Sequence, residues 1–285
     1  MQWLVLSGGE PQLHSNLKGL CELLRAEGIR LTLLTAGLLL EGQARLVAQC
    51  VDDLIVSLDG PSEIHNRIRG VPRAFERLAG GIKAVRMLRP SMPVRARSTV
   101  QKAHFRHLRA TVRVAKELVL DSISFLAADV TSSAFNRPQG WPTERQASVS
   151  LTSEEVNALE AEIDALISEC SRDLISGFIR EDAAELWRIV RHFRAQLGQL
   201  RPRSPQCNAP WVSAVIESDG TVRPCFFHPA YGSMRDRTLL EVLNSPGAVA
   251  FRRNLDIAIS PVCQRCVCSL SMPQKGETSP AGHVG

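Results

Sequence analysis

The sequence predicts an α/β protein built on a parallel β-sheet, and three observations support this fold class. Short apolar runs alternate with amphipathic segments of helical period between residues 3 and 127. The first run, Trp3 to Leu6, is apolar on both faces, which is typical of a parallel strand covered on both sides. Gly, Pro and Asp mark the junctions between runs and segments. This regular alternation indicates parallel strands joined by right-handed crossovers.

Five strands and four helices are predicted in this part of the chain. The strands cover residues 3–7, 30–35, 54–58, 94–100 and 122–127. The helices cover residues 14–27, 41–49, 73–88 and 105–118. The stretch 128–150 is rich in Ser, Thr, Pro, Asn and Gln and is predicted to be a long loop. Helical pattern resumes after Thr152, which opens a capping box, and continues to about Leu200.

The last part of the chain, from residue 205, is small and rich in cysteine. Residues 211–217 and 221–224 are predicted strands, and the Asp219-Gly220 pair between them is a strong hairpin signal. A short helix near residues 238–244 precedes the segment PVCQRCVC. Residues 273–285 are predicted to be a disordered tail.

The composition excludes several function classes. The chain has 285 residues, of which 44% are hydrophobic and 22% charged, as in ordinary globular proteins. No apolar run approaches the roughly 18 residues that span a bilayer, and the first residues do not form a secretion signal. We therefore expect a cytoplasmic protein without a membrane partner. The net charge of +5 comes from scattered Arg and Lys, with only one Tyr to stack bases, so no nucleic-acid partner is expected.

Eight cysteines point to metal or redox chemistry, because reducing compartments disfavour structural disulfides. Three of them, Cys21, Cys50 and Cys170, are isolated in helical sequence and are expected to be buried small hydrophobes. The other cysteines lie between residues 207 and 268.

The clustered cysteines can form one site with four thiolates. Cys207 and Cys225 flank the predicted hairpin, and Cys263 and Cys266 form a CxxC pair. Both zinc and a [4Fe-4S] cluster accept four thiolates in this arrangement, so the spacing alone leaves the two metals open. Cys268 is a spare thiol or a substitute ligand.

Several stretches together resemble the radical S-adenosylmethionine (SAM) enzymes of the SPASM/twitch subgroup. They are LSGGEP, LLTAG, VSLDGPSEIHNRIRG, GGIKAVRML and, near the end, Cys-x12-Gly-x4-Cys followed by CxxCxC. The resemblance covers roughly residues 3–127 and 205–270. It implies a partial (β/α)6 barrel that binds its cofactor at the carboxyl ends of the strands. It also favours an iron-sulfur cluster over zinc at the cysteine site.

The resemblance implies four segments along the chain. Residues 1–130 would form the partial radical SAM barrel, comprising strands two to six, and residues 131–204 a linker and helical bridge. Residues 205–272 would form a SPASM/twitch-like domain with one auxiliary [4Fe-4S] cluster, and residues 273–285 the disordered tail.

The resemblance also implies a SAM site and a set of cluster ligands. The positions that match SAM-binding residues are Gly8, Gly9, Glu10, Thr35, Ser57 and Arg69. The implied cluster ligands are Cys207, Cys225, Cys263 and Cys266, with Cys268 as a substitute. Gly8, Gly9 and Glu10 would meet the SAM ammonium group through carbonyls and a carboxylate. Ser57 and Arg69 would hold its carboxylate through a hydroxyl and a charge-assisted guanidinium bond.

The CxxxCxxC loop of the family is not found in this sequence. In the family this loop holds a [4Fe-4S] cluster that reduces SAM, which then cleaves to methionine and a 5′-deoxyadenosyl radical. Because the loop follows the first barrel strand, the resemblance implies that the first βα unit is missing and that the chain is an N-terminally truncated fragment. We expect the fragment to be inactive on its own.

The resulting hypothesis is a fragment of a radical SAM iron-sulfur oxidoreductase. The parent enzyme would abstract hydrogen from a peptide or small metabolite and take electrons from a donor such as flavodoxin or ferredoxin. Two alternatives stay open, a non-catalytic single-cluster electron-transfer or relic protein and a structural zinc-binding protein. Metal content separates the zinc protein from the other two.

Overall fold

A five-stranded parallel sheet is the centre of the first half of the chain. The computed structural model describes residues 2–135, 137 and 140–272. The strands are β1 (Trp3–Leu6), β2 (Arg30–Thr35), β3 (Asp53–Ser57), β4 (Val94–Val100) and β5 (Ser122–Ala127). They are hydrogen-bonded in the order β1-β2-β3-β4-β5, and every neighbouring pair is parallel. The predicted fold class is confirmed.

Helices connect successive strands of this sheet. In chain order they are a 3-10 helix (Pro11–Leu13), α1 (Leu17–Ala26), α2 (Ala44–Cys50), α3 (Ser62–Arg69), α4 (Ala74–Leu88) and α5 (Leu108–Glu117). Helix α3 was not predicted, because only Ile64 and His65 of its 8 residues are buried and the apolar signal is weak. It ends at Gly70, whose φ of 63° is the left-handed conformation that glycine readily adopts at this position.

A buried carboxylate lies at the amino end of the sheet. Asp53, the first residue of β3, is 1% exposed. Its oxygens accept hydrogen bonds from Thr32 at 2.9 Å, Arg30 at 3.0 Å and Arg95 at 3.3 Å. The Thr32 hydroxyl oxygen in turn accepts the indole N–H of Trp3 at 2.7 Å. These bonds link all strands from β1 to β4 by their side chains.

The elements after β5 are mostly helices. They are α6 (Thr143–Val149), α7 (Ser153–Glu169), α8 (Ser171–Ile175), α9 (Ala183–Gln196), α10 (Ala209–Val212), β6 (Val215–Ile216), β7 (Thr221–Arg223), β8 (Gly232–Ser233), α11 (Leu239–Leu243), α12 (Pro246–Asn254) and α13 (Pro261–Gln264). Helix α7 begins with the predicted capping box, formed by Thr152 and Glu155. Helix α6 lies within the stretch that was predicted to be a loop.

Strands β6, β7 and β8 form a small antiparallel sheet in that order. The predicted hairpin turn is present, with Gly220 at a φ of 86° and Asp219 Oδ1 accepting the Thr221 N–H at 2.9 Å. The strand predicted from residue 211 starts later, because its first two residues end α10, which has Pro210 in its first turn.

The chain divides into two compact units, and each is described by itself. Unit 1 contains the chain up to Ala127 together with Leu151–Val190, and unit 2 contains Ala128–Ser150 and the chain from Arg191 onward. The boundaries at residues 130 and 204 stay predictions, and the units divide the chain differently. The physical reason is that α7 packs against α5, where the buried Glu162 accepts hydrogen bonds from the backbone and guanidinium of Arg109 at 3.0 and 2.9 Å.

Two of the three isolated cysteines are buried as predicted. Cys21 is 0% and Cys50 6% exposed, and burial raises the pKa of Cys21 to about 11. Cys170 is half-buried at the junction of α7 and α8. The predicted tail, residues 273–285, lies outside the described residues. Within the described part of the chain, no helix combines the length and apolar character needed to cross a bilayer.

Two buried histidines in unit 1 make the free energy of unfolding depend on pH. His65 is 0% and His104 1% exposed, and burial lowers the pKa of each from 6.5 to about 4. The unfolded chain therefore takes up protons as the pH falls below 6.5, while the folded chain resists protonation until about pH 4. The contribution of these two histidines to stability is complete above this window and is lost as the pH falls through it. We expect each histidine to cost roughly 2 kcal/mol between pH 7 and pH 5, measured by urea denaturation.

The variant H104Q isolates one of the two contributions. Glutamine does not titrate, and His104 Nε2 lies only 3.1 Å from the Ser98 hydroxyl, a contact that an amide can keep. We expect the change in the free energy of unfolding between pH 7 and pH 5 to differ from that of the wild type by roughly the 2 kcal/mol assigned to one histidine. H14Q, at an exposed histidine, should keep the wild-type dependence. An H104Q protein with the wild-type slope would contradict the assignment.

Candidate functional site

Three of the predicted ligand segments meet at the carboxyl edge of the sheet in unit 1. Gly8, Gly9 and Glu10 follow β1, Thr35 is the last residue of β2, and Ser57 is the last residue of β3. The carboxyl ends of parallel strands lie at one edge of a sheet, which is where α/β proteins bind their ligands. The fold therefore brings these residues to one edge.

The carboxylate of Glu10 connects the end of β1 to the end of β2. Its two oxygens lie 2.8 and 2.9 Å from the hydroxyl of Thr35, and Oε2 accepts the backbone N–H of Ala36 at 2.9 Å. Oε1 also accepts the N–H of Gln12 at 3.3 Å and so caps the 3-10 helix. Three donors thus contact the carboxylate, namely the Thr35 hydroxyl and the N–H groups of Ala36 and Gln12. They fix its orientation, and because a carboxylate can accept about four hydrogen bonds, it can still accept one from a further donor.

Gly8 and Gly9 border open space at this edge. The φ of Gly8 is 128°, a conformation that L side chains rarely adopt, so the turn after β1 requires glycine there. A Cβ built at either position would meet no atom of the described residues within 4 Å. The backbone carbonyls of this turn are therefore open to close approach by a ligand.

Arg69, at the end of α3, is already ion-paired. Its guanidinium lies 2.7 Å from Oδ2 of Asp59, a residue that is 2% exposed. Burial raises the pKa of the Asp59 carboxyl, and the Arg69 charge opposes this rise. The Nδ1 atom of His65 accepts the Asp59 N–H at 3.2 Å, so the neutral ring carries its proton on Nε2. The role of Arg69 as a carboxylate contact stays a prediction, and its ion pair with Asp59 was not expected from the sequence.

One donor of Arg69 stays available. Among the described residues its Nε has no hydrogen-bond partner, although the atom is buried. A buried guanidinium N–H without an acceptor is unfavourable, so this position suits a ligand that brings an oxygen. Ser57, the other predicted carboxylate contact, is half-buried at the end of β3.

The four predicted cluster ligands lie around the small sheet of unit 2. Cys207 precedes α10, Cys225 follows β7 after Pro224, Cys263 lies in α13, and Cys266 follows the end of that helix. Cys207 and Cys266 are far apart in the sequence, and the fold of the hairpin and α13 brings them close enough to interact.

The thiols share one electrostatic environment. Cys207 interacts with each of the other three predicted ligands, and Cys225 interacts with Cys263 and Cys266. Burial is the main cause that raises the pKa of Cys225, Cys263 and Cys266, and the neighbouring thiols raise it further. If these four thiols lose their protons, the resulting thiolates need nearby positive charge, which metal ions supply. Over the described residues, no group of three or more His, Cys, Asp or Glu is arranged to hold a metal ion.

Backbone groups also face the sulfurs. Cys225 Sγ accepts hydrogen bonds from the backbone N–H groups of Phe227 and His228, which lower its pKa against the effect of burial. The Ala209 N–H lies 3.5 Å from Cys207 Sγ. Cys266 Sγ lies 3.1 Å from the backbone carbonyl oxygen of Cys268, so the carbonyl of Cys268 faces the site. Its thiol as a substitute ligand stays a prediction.

The sequence reasoning did not single out His228. The residue is 5% exposed, its Nε2 lies 3.2 Å from Cys263 Sγ, and burial lowers its pKa. The contact joins residues 35 positions apart in the chain, which a local pattern cannot reveal. The one available signal was its position three residues after Cys225.

Comparisons with protein families match two parts of the chain. Residues 4–94 match the model of the Radical SAM superfamily. Residues 207–267 match the model of SPASM, described as an iron-sulfur cluster-binding domain. The two matches include all the residues predicted to bind SAM and all four predicted cluster ligands.

Two curated relatives carry the same description. The AdoMet-dependent heme synthase of Methanosarcina barkeri is 36% identical over 118 residues, which are 40% of this chain and 33% of the relative. The AdoMet-dependent heme synthase of Oleidesulfovibrio alaskensis is 35% identical over 83 residues, which are 28% of this chain and 21% of the relative. The matched part of this chain thus spans a third or less of the length of these relatives.

Solved structures show the same fold. The structure of anSMEcpe with bound AdoMet and Kp18Cys peptide has a TM-score of 0.62 and 21% identity, over 87% of this chain and 68% of that chain. Streptococcus suis SuiB bound to S-adenosylmethionine has a TM-score of 0.59 and 15% identity, over 94% of this chain and 61% of that chain. At these identities the likeness concerns the fold.

Replacement of Thr35 tests the contact that orients Glu10. T35V keeps the shape of the side chain but removes the hydroxyl, so the Glu10 carboxylate loses one donor and the Gly37 backbone N–H loses its acceptor. We expect the free energy of unfolding to fall by about 1–2 kcal/mol, measured by urea denaturation. T35S keeps the hydroxyl and should lose less than half as much. Equal losses in the two variants would mean that the hydrogen bonds of the Thr35 hydroxyl contribute nothing to stability.

Proposed function

Because the chain belongs to the Radical SAM superfamily and carries a SPASM iron-sulfur cluster-binding domain, we propose that it works in a radical SAM oxidoreductase. In this proposal the carboxyl edge of the sheet holds SAM, and Cys207, Cys225, Cys263 and Cys266 hold an auxiliary [4Fe-4S] cluster. The observation that carries the proposal is that four half-buried thiols within the SPASM match are close enough to affect one another's pKa.

The residues at the sheet edge suit the polar end of SAM. The ammonium group needs acceptors, and Glu10 retains acceptor capacity beside the open backbone of Gly8 and Gly9. The carboxylate of SAM needs donors, and the buried Nε of Arg69 has no acceptor among the described residues. In this role Asp59 orients the Arg69 guanidinium through their ion pair.

The cysteine site suits a cluster for a similar reason. The irons would supply the positive charge that the buried thiolates need. The backbone N–H groups of Phe227 and His228 would stay on Cys225 sulfur and stabilise its negative charge. Hydrogen bonds of this kind tune the reduction potential of a cluster.

When bound, SAM supplies hydrogen-atom abstraction after one-electron reductive cleavage. The cleavage needs the [4Fe-4S] cluster that family members hold in a CxxxCxxC loop, a motif that this sequence does not contain. Hydrogen-atom abstraction is therefore proposed for the whole enzyme in which this chain works. Its electron donor would be a small carrier such as flavodoxin or ferredoxin. Its substrate would be a peptide or a small metabolite, as supported by the peptide complex of anSMEcpe and by the heme synthase relatives.

Metal content tests the cluster. After anaerobic reconstitution with iron and sulfide, we expect about four irons per chain and the brown colour of a [4Fe-4S] cluster. C225S should lose most of the bound iron, because it removes one of the four predicted cluster ligands. C170S, at a half-buried cysteine outside the site, should bind as much iron as the wild type.

The same measurement separates the alternatives. A colourless protein that carries about one zinc per chain and takes up no iron would support the structural zinc site and contradict the cluster. Equal iron in C225S and C170S would contradict the ligand set.

SAM binding tests the sheet edge separately. In G9V the added side chain would enter the open space beside the turn without meeting described atoms within 4 Å, so the fold should tolerate it. We expect binding of SAM to weaken at least tenfold, measured by isothermal titration calorimetry on the reconstituted protein. G247V, at a glycine of α12 with equally open surroundings, should bind SAM as the wild type does. Wild-type affinity in G9V would place SAM elsewhere.

A further inference from the structure

His228 makes two contacts with the cysteine site of unit 2. Its ring Nε2 lies 3.2 Å from Cys263 Sγ, and its backbone N–H donates to Cys225 Sγ. These two cysteines stand on different elements, one after β7 and one in α13. A single residue therefore faces two of the four predicted ligand sulfurs from inside the unit.

The surrounding structure fixes the orientation of this ring. The His228 ring packs edge-on against Phe251, with ring centroids 5.0 Å apart and an interplanar angle of 70°. Phe251 is held from another side by Tyr231, at 5.6 Å between centroids. The His228 carbonyl oxygen accepts a hydrogen bond from the Arg223 guanidinium at 3.3 Å. Both the backbone and the ring of His228 are thus held in place.

The chemistry of a bound cysteine determines which atom carries the proton. A cysteine that ligates iron is a thiolate, which has lone pairs and no proton to donate. A contact of 3.2 Å between two acceptors would be repulsive, so the Nε2 of His228 must be the N–H donor. The geometry then gives a charge-assisted hydrogen bond from the ring to the sulfur of Cys263.

We propose that His228 is a positioning residue of the auxiliary cluster, which donates its ring N–H to Cys263 sulfur and raises the reduction potential of the cluster. The inference rests on the proposed function and deepens it. One-electron reduction places additional negative charge on the cluster and its sulfurs. A hydrogen bond to a sulfur is stronger in the reduced state, and it therefore favours uptake of the electron.

Three variants test this role. H228L removes the donor, H228N is polar but too short to reach the sulfur, and H228Q keeps an N–H donor near the position of Nε2. Each protein is reconstituted anaerobically with iron and sulfide, and its iron content is measured. The midpoint potential is then determined by a mediated electrochemical titration, with the reduced cluster followed by electron paramagnetic resonance.

We expect H228L and H228N to keep wild-type iron and to become harder to reduce. A tenfold change in the equilibrium constant for reduction corresponds to a midpoint potential about 59 mV more negative for one electron. H228Q should restore most of the wild-type potential, which a merely structural role of the ring would not do. If H228L does not fold, H228N carries the same comparison.

The other outcomes overturn specific statements. Wild-type iron with an unchanged potential in H228L and H228N would refute the role of His228 and leave the proposed function standing. Loss of iron in H228Q and H228N together would make His228 a ligand or a requirement of the fold, which also refutes a tuning role. A wild-type protein that binds no iron would overturn the proposed function and this inference with it.

Discussion

The buried charge of Asp53 is the constraint on which the sheet of unit 1 depends. A carboxylate removed from water must be compensated, and here the compensation comes from Thr32 and Arg30 on β2 and from Arg95 on β4. Because these partners must reach one point, they favour a single register among neighbouring strands. Once the amino ends are aligned in this way, the carboxyl ends are aligned as well, and Glu10 can reach Thr35 at the opposite edge.

The amino edge of the sheet therefore contributes to stability, whereas the carboxyl edge is open to a ligand. At the amino edge, the charged groups satisfy each other and leave little capacity for a ligand. At the carboxyl edge, Gly8 and Gly9 adjoin open space and Arg69 keeps a buried donor without a partner in the described part of the chain. This division agrees with the general placement of stability at one end and binding at the other end of parallel α/β folds.

The sequence predicted the regular parts of this protein well and the long-range contacts poorly. The five strands follow from apolar runs of strand length, and the hairpin turn follows from the conformational freedom of Gly220. Helix α3 was not predicted because its residues are mainly polar, and α10 was not predicted because its few residues also suit a strand. The ion pair of Arg69 with Asp59 and the contact of His228 with Cys263 depend on how separate elements pack. A one-dimensional pattern does not contain that information.

The return of the chain to unit 1 at Leu151 affects how the protein is made. Residues 128–150 belong to unit 2 but leave the ribosome before α7, which unit 1 needs for its packing against α5. Domains usually fold one after another as they emerge during synthesis. Here unit 2 starts at Ala128, before unit 1 ends at Val190, so the two units overlap in the order of synthesis. Unit 1 can therefore be completed once Val190 has been synthesised, whereas the cysteine site of unit 2 is completed only after Cys266.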